Sequence, residues 1–211
     1  MKTEIFLFRH GRTAAVEKKL YCGKTDLPLS KKGEDELLMK KNGKDYPDIS
    51  HCKIYTSGLL RASQTQKLLY PNPGDFVIVE KGFQEIDFGD FEMKSYEELK
   101  ENPEYQKWLK GEVDRISIKS TESYENPCPN GESWQKMNER VLVALENALK
   151  NENSLAIFSH GGPISAIMAH FFPTVMKSLY EWQPDFGEGY KIIIEDDSIS
   201  YIKIPCEEAS L

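Results

Sequence analysis

Twice in this chain a run of apolar residues stops abruptly at a histidine followed by glycine. Residues 5–11 read IFLFRHG, and residues 155–162 read LAIFSHGG. Runs such as Ile5, Phe6, Leu7 and Phe8 suit strands buried on both faces, the kind that lie inside a sheet covered by helices. The glycine that follows permits a sharp exit. In open α/β sheets, ligands bind outside the carboxyl ends of the strands. The chain has only four histidines, so two at strand ends make His10 and His160 candidates for chemistry. The bland alternatives are a surface-loop histidine beside a solvated arginine for His10, and a capped core histidine for His160.

The pattern between these strands alternates. After the first strand, residues 12–29 lack a periodic apolar face and carry Tyr21, Gly23, Asp26 and Pro28, which reads as a functional loop. Ser30 is placed to cap a polar helix ending near Gly43. KIYT at 53–56 reads as a second strand, and Ser57 as the cap of a helix over 58–70 with Leu59, Leu60, Ala62, Leu68 and Leu69 turned inward. FVIV at 76–79 reads as another buried strand. GFQEIDFGDFE at 82–92 has no helical period and reads as a site loop. Short helices broken at Pro103 follow. A helix over 132–150 has Trp134, Met137, Val141, Ala144, Leu145 and Ala148 at helical spacing, and that stripe is core. An apolar helix follows His160, and strands at 191–194 and 199–204 close the chain, with a short acidic tail at 207–211.

Strands alternating with helices predict a three-layer α/β/α domain with a mixed, mostly parallel sheet. The length of 211 residues suits one domain over 1–211. A polar helical insertion at about 90–131 is expected to lie over one side, with too few apolar residues for a core of its own.

Charge and cysteine content narrow the function. A net charge of −7 makes nucleic acid and anionic membranes poor partners, and an anionic substrate would need cations gathered locally. No apolar run approaches the roughly 20 residues of a membrane span. The first strand begins at once, so no signal peptide is expected. Cys22, Cys52, Cys128 and Cys206 show neither zinc spacing nor a disulfide framework. A cytoplasmic protein with reduced thiols is the expectation.

If the strands ending at Arg9, Thr56 and Ser159 are neighbours, Arg9, His10, Arg61 and His160 converge. That set suits phosphoryl transfer through a histidine. Arginine forks bind phosphate oxygens and stay charged. They also disfavour imidazolium, which keeps the nucleophile neutral. The helix opening at Gly161 offers free N–H groups to an anion. The leaving oxygen needs a proton donor; Glu85 is the first candidate by type, with Asp87 and Asp90 as rivals.

Four motifs carry a resemblance: Arg9-His10-Gly11; Ser57 with Arg61-Ala62 and Gln64-Thr65; residues 85–90, EIDFGD; and Ser159-His160-Gly161-Gly162. In this order they resemble the histidine phosphatase superfamily, also called phosphoglycerate mutase-like. The resemblance implies His10 as the phosphorylated nucleophile. It implies Arg9, Arg61 and His160 as holders of the phosphoryl oxygens, and Glu85 as proton donor and then base for water. No metal or organic cofactor is implied. The run LYCGKTDLPLS at 20–30, with GDFEM at 89–93 and Tyr105 and Trp108, looks like the alpha-ribazole phosphatase branch, which adds Tyr21 and Gly23 as candidate substrate contacts. Many relatives carry glycine where this chain has Met93. Two positions depart further: family members often carry Glu and then Asn where this chain has Arg12 and Val16.

The expected activity is hydrolysis of a small soluble phosphate ester, with alpha-ribazole phosphate as one candidate. The expected partner is a small phosphorylated metabolite, on a monomer or homodimer. A phosphoglycerate mutase-type transfer and a non-catalytic phospho-ligand-binding pseudo-enzyme are the competing readings. Tyr21 reads equally as a packed loop aromatic and Ser57 equally as a near-site hydrogen bond or a plain cap; Tyr105 and Trp108 read as local packing ahead of pocket wall, and His51 and His170 as bystanders.

Overall fold

A computed structural model describes residues 2–72, 76–116, 127–150, 152–175, 177–178, 180–196 and 198–205, without the side chains of 110–116. Residues 73–75, residues 117–126 of the polar insertion and the acidic tail at 207–211 lie outside the described residues. In chain order the elements are β1 Lys2–Arg9, α1 Ala14–Glu17, α2 Lys31–Gly43, β2 Lys53–Thr56, α3 Leu60–Leu69, β3 Ile78–Val79, α4 Tyr96–Leu99, α5 Pro103–Ile116, α6 Trp134–Leu149, β4 Ser154–Ser159, α7 Gly161–Phe171, β5 Gly189–Glu195 and β6 Ser198–Ile204. They build the expected α/β fold.

The strands form one sheet in the order β3-β2-β4-β1-β5-β6. The first four are parallel; β5 runs antiparallel to β1, and β6 antiparallel to β5. Alternating residues of β1 explain the three layers. Ile5 and Leu7 join a core with Leu155, Ile157 and Ile192, closed by α6 and α7. Phe6 and Phe8 face the other way, with Ile54 and Phe158, under Leu37 of α2 and Leu69 of α3. Phe8 stacks on Phe158 at 4.6 Å between ring centroids. The central strands β1 and β4 therefore bury apolar side chains on both faces, which is why their sequences show runs and not alternations.

Three local expectations are corrected. The run at 76–79 pairs only through Ile78–Val79. It is the outer strand, so Phe76 is 92% and Val79 60% exposed. Ser57 does not cap α3, whose N-cap is Leu59 with no side-chain bond. Instead Asp26, in the loop after β1, accepts from the Leu60 N–H at 2.7 Å. Leu60 is 45% exposed, and the inward face is made of Arg61, Ala62, Thr65, Gln66 and Leu69. Finally, Phe91, Leu99, Tyr105, Trp108 and Cys128 form a small core of their own, against Tyr21 and Phe88. This segment carries more apolar packing than its charged sequence suggested.

Candidate active site

The order β2-β4-β1 brings three parallel carboxyl ends side by side, and the first residues beyond them meet. His10 follows β1 and His160 follows β4, with ring centroids 5.0 Å apart. Nδ1 of His10 lies 2.7 Å from the Gly11 carbonyl oxygen. A carbonyl only accepts, so Nδ1 carries the proton and Nε2 keeps its lone pair. Burial, and then the guanidiniums of Arg61 and Arg9, hold the His10 pKa well below that of a free imidazole. The ring is therefore neutral. Gly11 is fixed in turn: its N–H donates to Thr65 Oγ1 at 2.9 Å, and that hydroxyl donates to the Arg61 carbonyl at 2.7 Å.

Arg9 ends β1. Its Nη1 donates to the Pro184 carbonyl at 2.7 Å, and its guanidinium lies 4.1 Å above the Phe186 ring. Its Nε is buried without a partner. Arg61, buried on α3, donates from Nη2 to the Gly23 carbonyl at 2.6 Å and from Nη1 to the Thr25 carbonyl at 2.9 Å. Its Nε donates to His160 Nδ1 at 3.2 Å. Because Arg61 can only donate, His160 has the opposite tautomer. Its Nε2–H donates to Ser57 Oγ at 2.8 Å. Burial first, then Arg61, His10 and Arg9, hold its pKa well below the usual value. His160 is thus fully enclosed behind His10, with both ring nitrogens engaged.

Glu85 approaches from the loop after β3. Its Oε2 accepts from the Gly162 N–H at 3.2 Å, at the opening turn of α7. A Cβ at Gly162 would lie 2.3 Å from Glu85 Oε1, so this glycine makes room for the carboxyl. The rivals are engaged elsewhere. Asp87 takes Lys24 Nζ at 3.1 Å and the Gly89 N–H at 2.9 Å, and Asp90 takes the Asn130 amide. Glu85 is the one carboxylate among the described residues lining the cavity.

That cavity has a volume of about 220 Å³, with Arg9, His10, Arg61 and Glu85 in its wall. The rest of the wall is mostly apolar or aromatic, including Val16, Tyr21, Phe88, Trp108, Trp134 and Tyr180. Tyr21 lines the cavity and also pairs its hydroxyl with Tyr105 at 2.6 Å. Gly23 acts through its backbone, seating Arg61. At Gly161 the chain passes close to Gln183 and Arg9 Nη2. Arg12 turns away to Glu36 at 2.9 Å. Gln183 and Phe186 also line the cavity, and the sequence reading missed both. Their signal was positional: β5 runs antiparallel to β1, with Gly189 opposite Phe8, so the segment before β5 must arrive where β1 ends.

One neutral imidazole, two guanidiniums and a carboxyl group line one cavity at parallel strand ends, with a second neutral imidazole behind the first, an arrangement able to receive an anion beside a ring nitrogen that keeps its lone pair. The chain belongs to the histidine phosphatase superfamily (branch 1), whose family profile matches residues 5–204. A curated relative, "Probable phosphoglycerate mutase GpmB" of Enterobacter sp. (strain 638), is 29% identical over 168 residues, covering 79% of this chain and 73% of that protein. The alpha-ribazole phosphatase of Shigella flexneri superposes with a TM-score of 0.78 at 23% identity, over 96% of each chain. A phosphoglycerate mutase from Thermus thermophilus superposes with a TM-score of 0.64 at 24% identity, over 97% of this chain and 99% of that one. At such identities these two structures speak to the fold.

Proposed function

We propose that the protein is a phosphomonoesterase that works through a phosphohistidine on His10. One observation carries the reading: a buried, neutral His10 whose Nδ1–H is committed to Gly11, leaving the Nε2 lone pair free, in a cavity wall shared with Arg9 and Arg61. Nε2 attacks phosphorus in line as the P–O bond to the alcohol breaks. Glu85 gives its proton to the leaving oxygen. Glu85 then takes a proton from water, whose oxygen attacks phosphorus. The P–N bond breaks, its electron pair returns to Nε2, and phosphate departs. Arg9 offers its unpartnered Nε, and both guanidiniums keep further Nη hydrogens for the phosphoryl oxygens. His160, accepting from Arg61 Nε and donating to Ser57, backs the site and holds the Arg61 guanidinium in place.

The wall of the cavity favours an ester whose alcohol is uncharged and apolar. Beyond Arg9 and Arg61, no lysine or arginine stands among the described lining residues to pair with a carboxylate on the substrate. This weighs against a phosphoglycerate mutase reaction. Alpha-ribazole phosphate is the ester to test first, since the Shigella flexneri protein of like fold is named for it. The protein is further proposed to act without a metal or organic cofactor, in the cytoplasm, as a single catalytic domain. Among the described residues no helix is long and apolar enough to cross a membrane.

The test is a panel of phosphate esters compared by kcat/KM, with and without a chelator. Chelator-resistant hydrolysis, best for esters of apolar alcohols, supports the reading. Isomerisation of 3-phosphoglycerate far faster than phosphate release favours the mutase, and a strict divalent-ion requirement removes the mechanism.

A further inference from the structure

Glu85 sits on a loop without regular structure between two 3-10 turns, Lys81–Phe83 and Gly89–Phe91. A proton donor needs a fixed position, and its own side-chain bonds supply little: one to its neighbour Ile86 N–H and one to Gly162. The backbone, however, is gripped from outside. Arg140, on α6, donates from Nη1 to the carbonyls of Gly82 at 2.9 Å and Gln84 at 2.7 Å, and from Nη2 to the carbonyl of Glu85 itself at 3.0 Å. Glu132 takes the other two guanidinium hydrogens, from Nε at 2.7 Å and Nη2 at 2.8 Å. The fork is saturated, so Arg140 has no donor left for a ligand. Glu132 also ties the far side of the loop, donating its N–H to the Asp87 carbonyl at 2.8 Å. Gly82 lies so near α6 that a Cβ there would be 2.5 Å from that of Ala144. The loop therefore lies flat on α6, and every carbonyl the guanidinium holds is within three residues of the proton donor.

We infer that Arg140, locked by Glu132, is the positioning residue for Glu85 and sets how well the enzyme expels poor leaving groups. The inference rests on the reading of Glu85 as proton donor. Lysine keeps the charge but cannot hold three carbonyls and a bidentate carboxylate at once. Loosening the loop by even a fraction of an ångström weakens proton delivery where the leaving alkoxide needs it most. A nitrophenolate leaving group needs little proton assistance, so its ester suffers least.

The measurement is kcat/KM for wild type, Arg140→Lys and Glu85→Gln over esters from p-nitrophenyl phosphate to a simple alkyl phosphate. For Arg140→Lys the expected loss is about 10–100-fold on the alkyl ester and a few-fold at most on the nitrophenyl ester, with the same steepening in Glu85→Gln. The double variant should be no steeper than Glu85→Gln alone. A purely structural role would lower all esters alike, and that result overturns the inference. No turnover in wild type, or a flat profile in Glu85→Gln, removes the reading of the site and the inference with it. Steepening in Glu85→Gln but not in Arg140→Lys overturns the inference alone. Should Arg140→Lys not fold, Glu132→Gln, which weakens the lock and keeps its shape, is expected to steepen the profile more mildly. An unsteepened Glu132→Gln overturns the inference.

Discussion

At the residue scale, Gly162 is where packing and chemistry meet. Helix interiors ordinarily favour alanine over glycine by about 0.5–1 kcal/mol. Here a Cβ would stand 2.3 Å from Glu85 Oε1 and 3.0 Å from Met137 Sδ. The obstructing oxygen ends a side chain, so it can move aside without unfolding anything. Gly162→Ala is therefore expected to leave the melting temperature within a few degrees of wild type. It should cut kcat/KM on alkyl phosphates by about 10–100-fold, because the displaced carboxyl no longer reaches the leaving oxygen. Thermal unfolding and steady-state kinetics on one preparation check both halves. A matching loss of stability and activity would mean that the glycine serves the helix and not the carboxyl. The main residues of the site could be read from the sequence because each stands beside a landmark: His10 and His160 at the ends of apolar runs, Arg61 in the turn after a strand, Glu85 in a glycine-bearing loop. Ser57 stood in the second motif, readable as a helix cap or as a bond near the site, but its partner His160 is 103 positions away and could not be named from the chain alone.

At the element scale, the loop after β1 holds the site together through one carboxylate. Glu92 accepts from the N–H groups of Gly23 at 3.0 Å, Lys24 at 2.9 Å and Thr25 at 3.3 Å, from Thr25 Oγ1 at 2.6 Å, and from Phe88 N–H at 3.1 Å. The same loop presents the Gly23 and Thr25 carbonyls that seat Arg61. Removing the carboxylate by Glu92→Ala frees the loop and with it the guanidinium. Hydrogen bonds to a charged group contribute about 1.5–3 kcal/mol, so the melting temperature should fall by about 3–12 °C in a chain of this size. Competitive inhibition by inorganic phosphate should weaken by about tenfold, read from initial rates. Unaltered phosphate affinity would show that Arg61 holds its place without the loop. Elements with a periodic or continuous apolar signal, such as β1, β4 and α6, were legible in the sequence. The run at 76–79 misled because an outer strand exposes what an inner one buries, and burial on an edge is decided by neighbours that the run itself does not contain. Arg140 was passed over for a related reason: the apolar stripe of α6 accounts for the helix, and its polar face becomes informative only once the loop of Glu85 lies on it.

At the scale of the whole molecule, the site couples stability to pH. His10 and His160 are both held well below the usual imidazole pKa, chiefly by burial, while in the unfolded chain they titrate near about 6.5. Below that value the unfolded chain binds protons that the folded site refuses, so stability falls as pH falls. Each histidine contributes a slope of about 1.4 kcal/mol per pH unit between the two pKa values. Glu4 adds to the loss only at lower pH, because Lys191, Lys2 and His51 hold its pKa at about 2. Urea unfolding at pH 7 and pH 5.5 should show this decline, and the double variant replacing both histidines by glutamine should flatten it. A slope that survives the replacement would assign it to other groups. The neutral His10 also means that kcat/KM should show no acid loss centred near pH 6.5. The sheet order was the part of the architecture the sequence left conditional. Convergence of the site depended on β1, β4 and β2 being neighbours, and only the pairing of Phe8 with Phe158 and of Thr56 with Phe158 makes them so.

The central claim is that His10 Nε2 takes the phosphoryl group. Rapid quenching of the enzyme with a ³²P-labelled ester, followed by alkaline separation of phosphoamino acids, tests it directly. Acid-labile, alkali-stable label on wild type, absent from His10→Ala along with turnover, is expected if Nε2 is the phosphoryl acceptor. Label and turnover that persist in His10→Ala would contradict it.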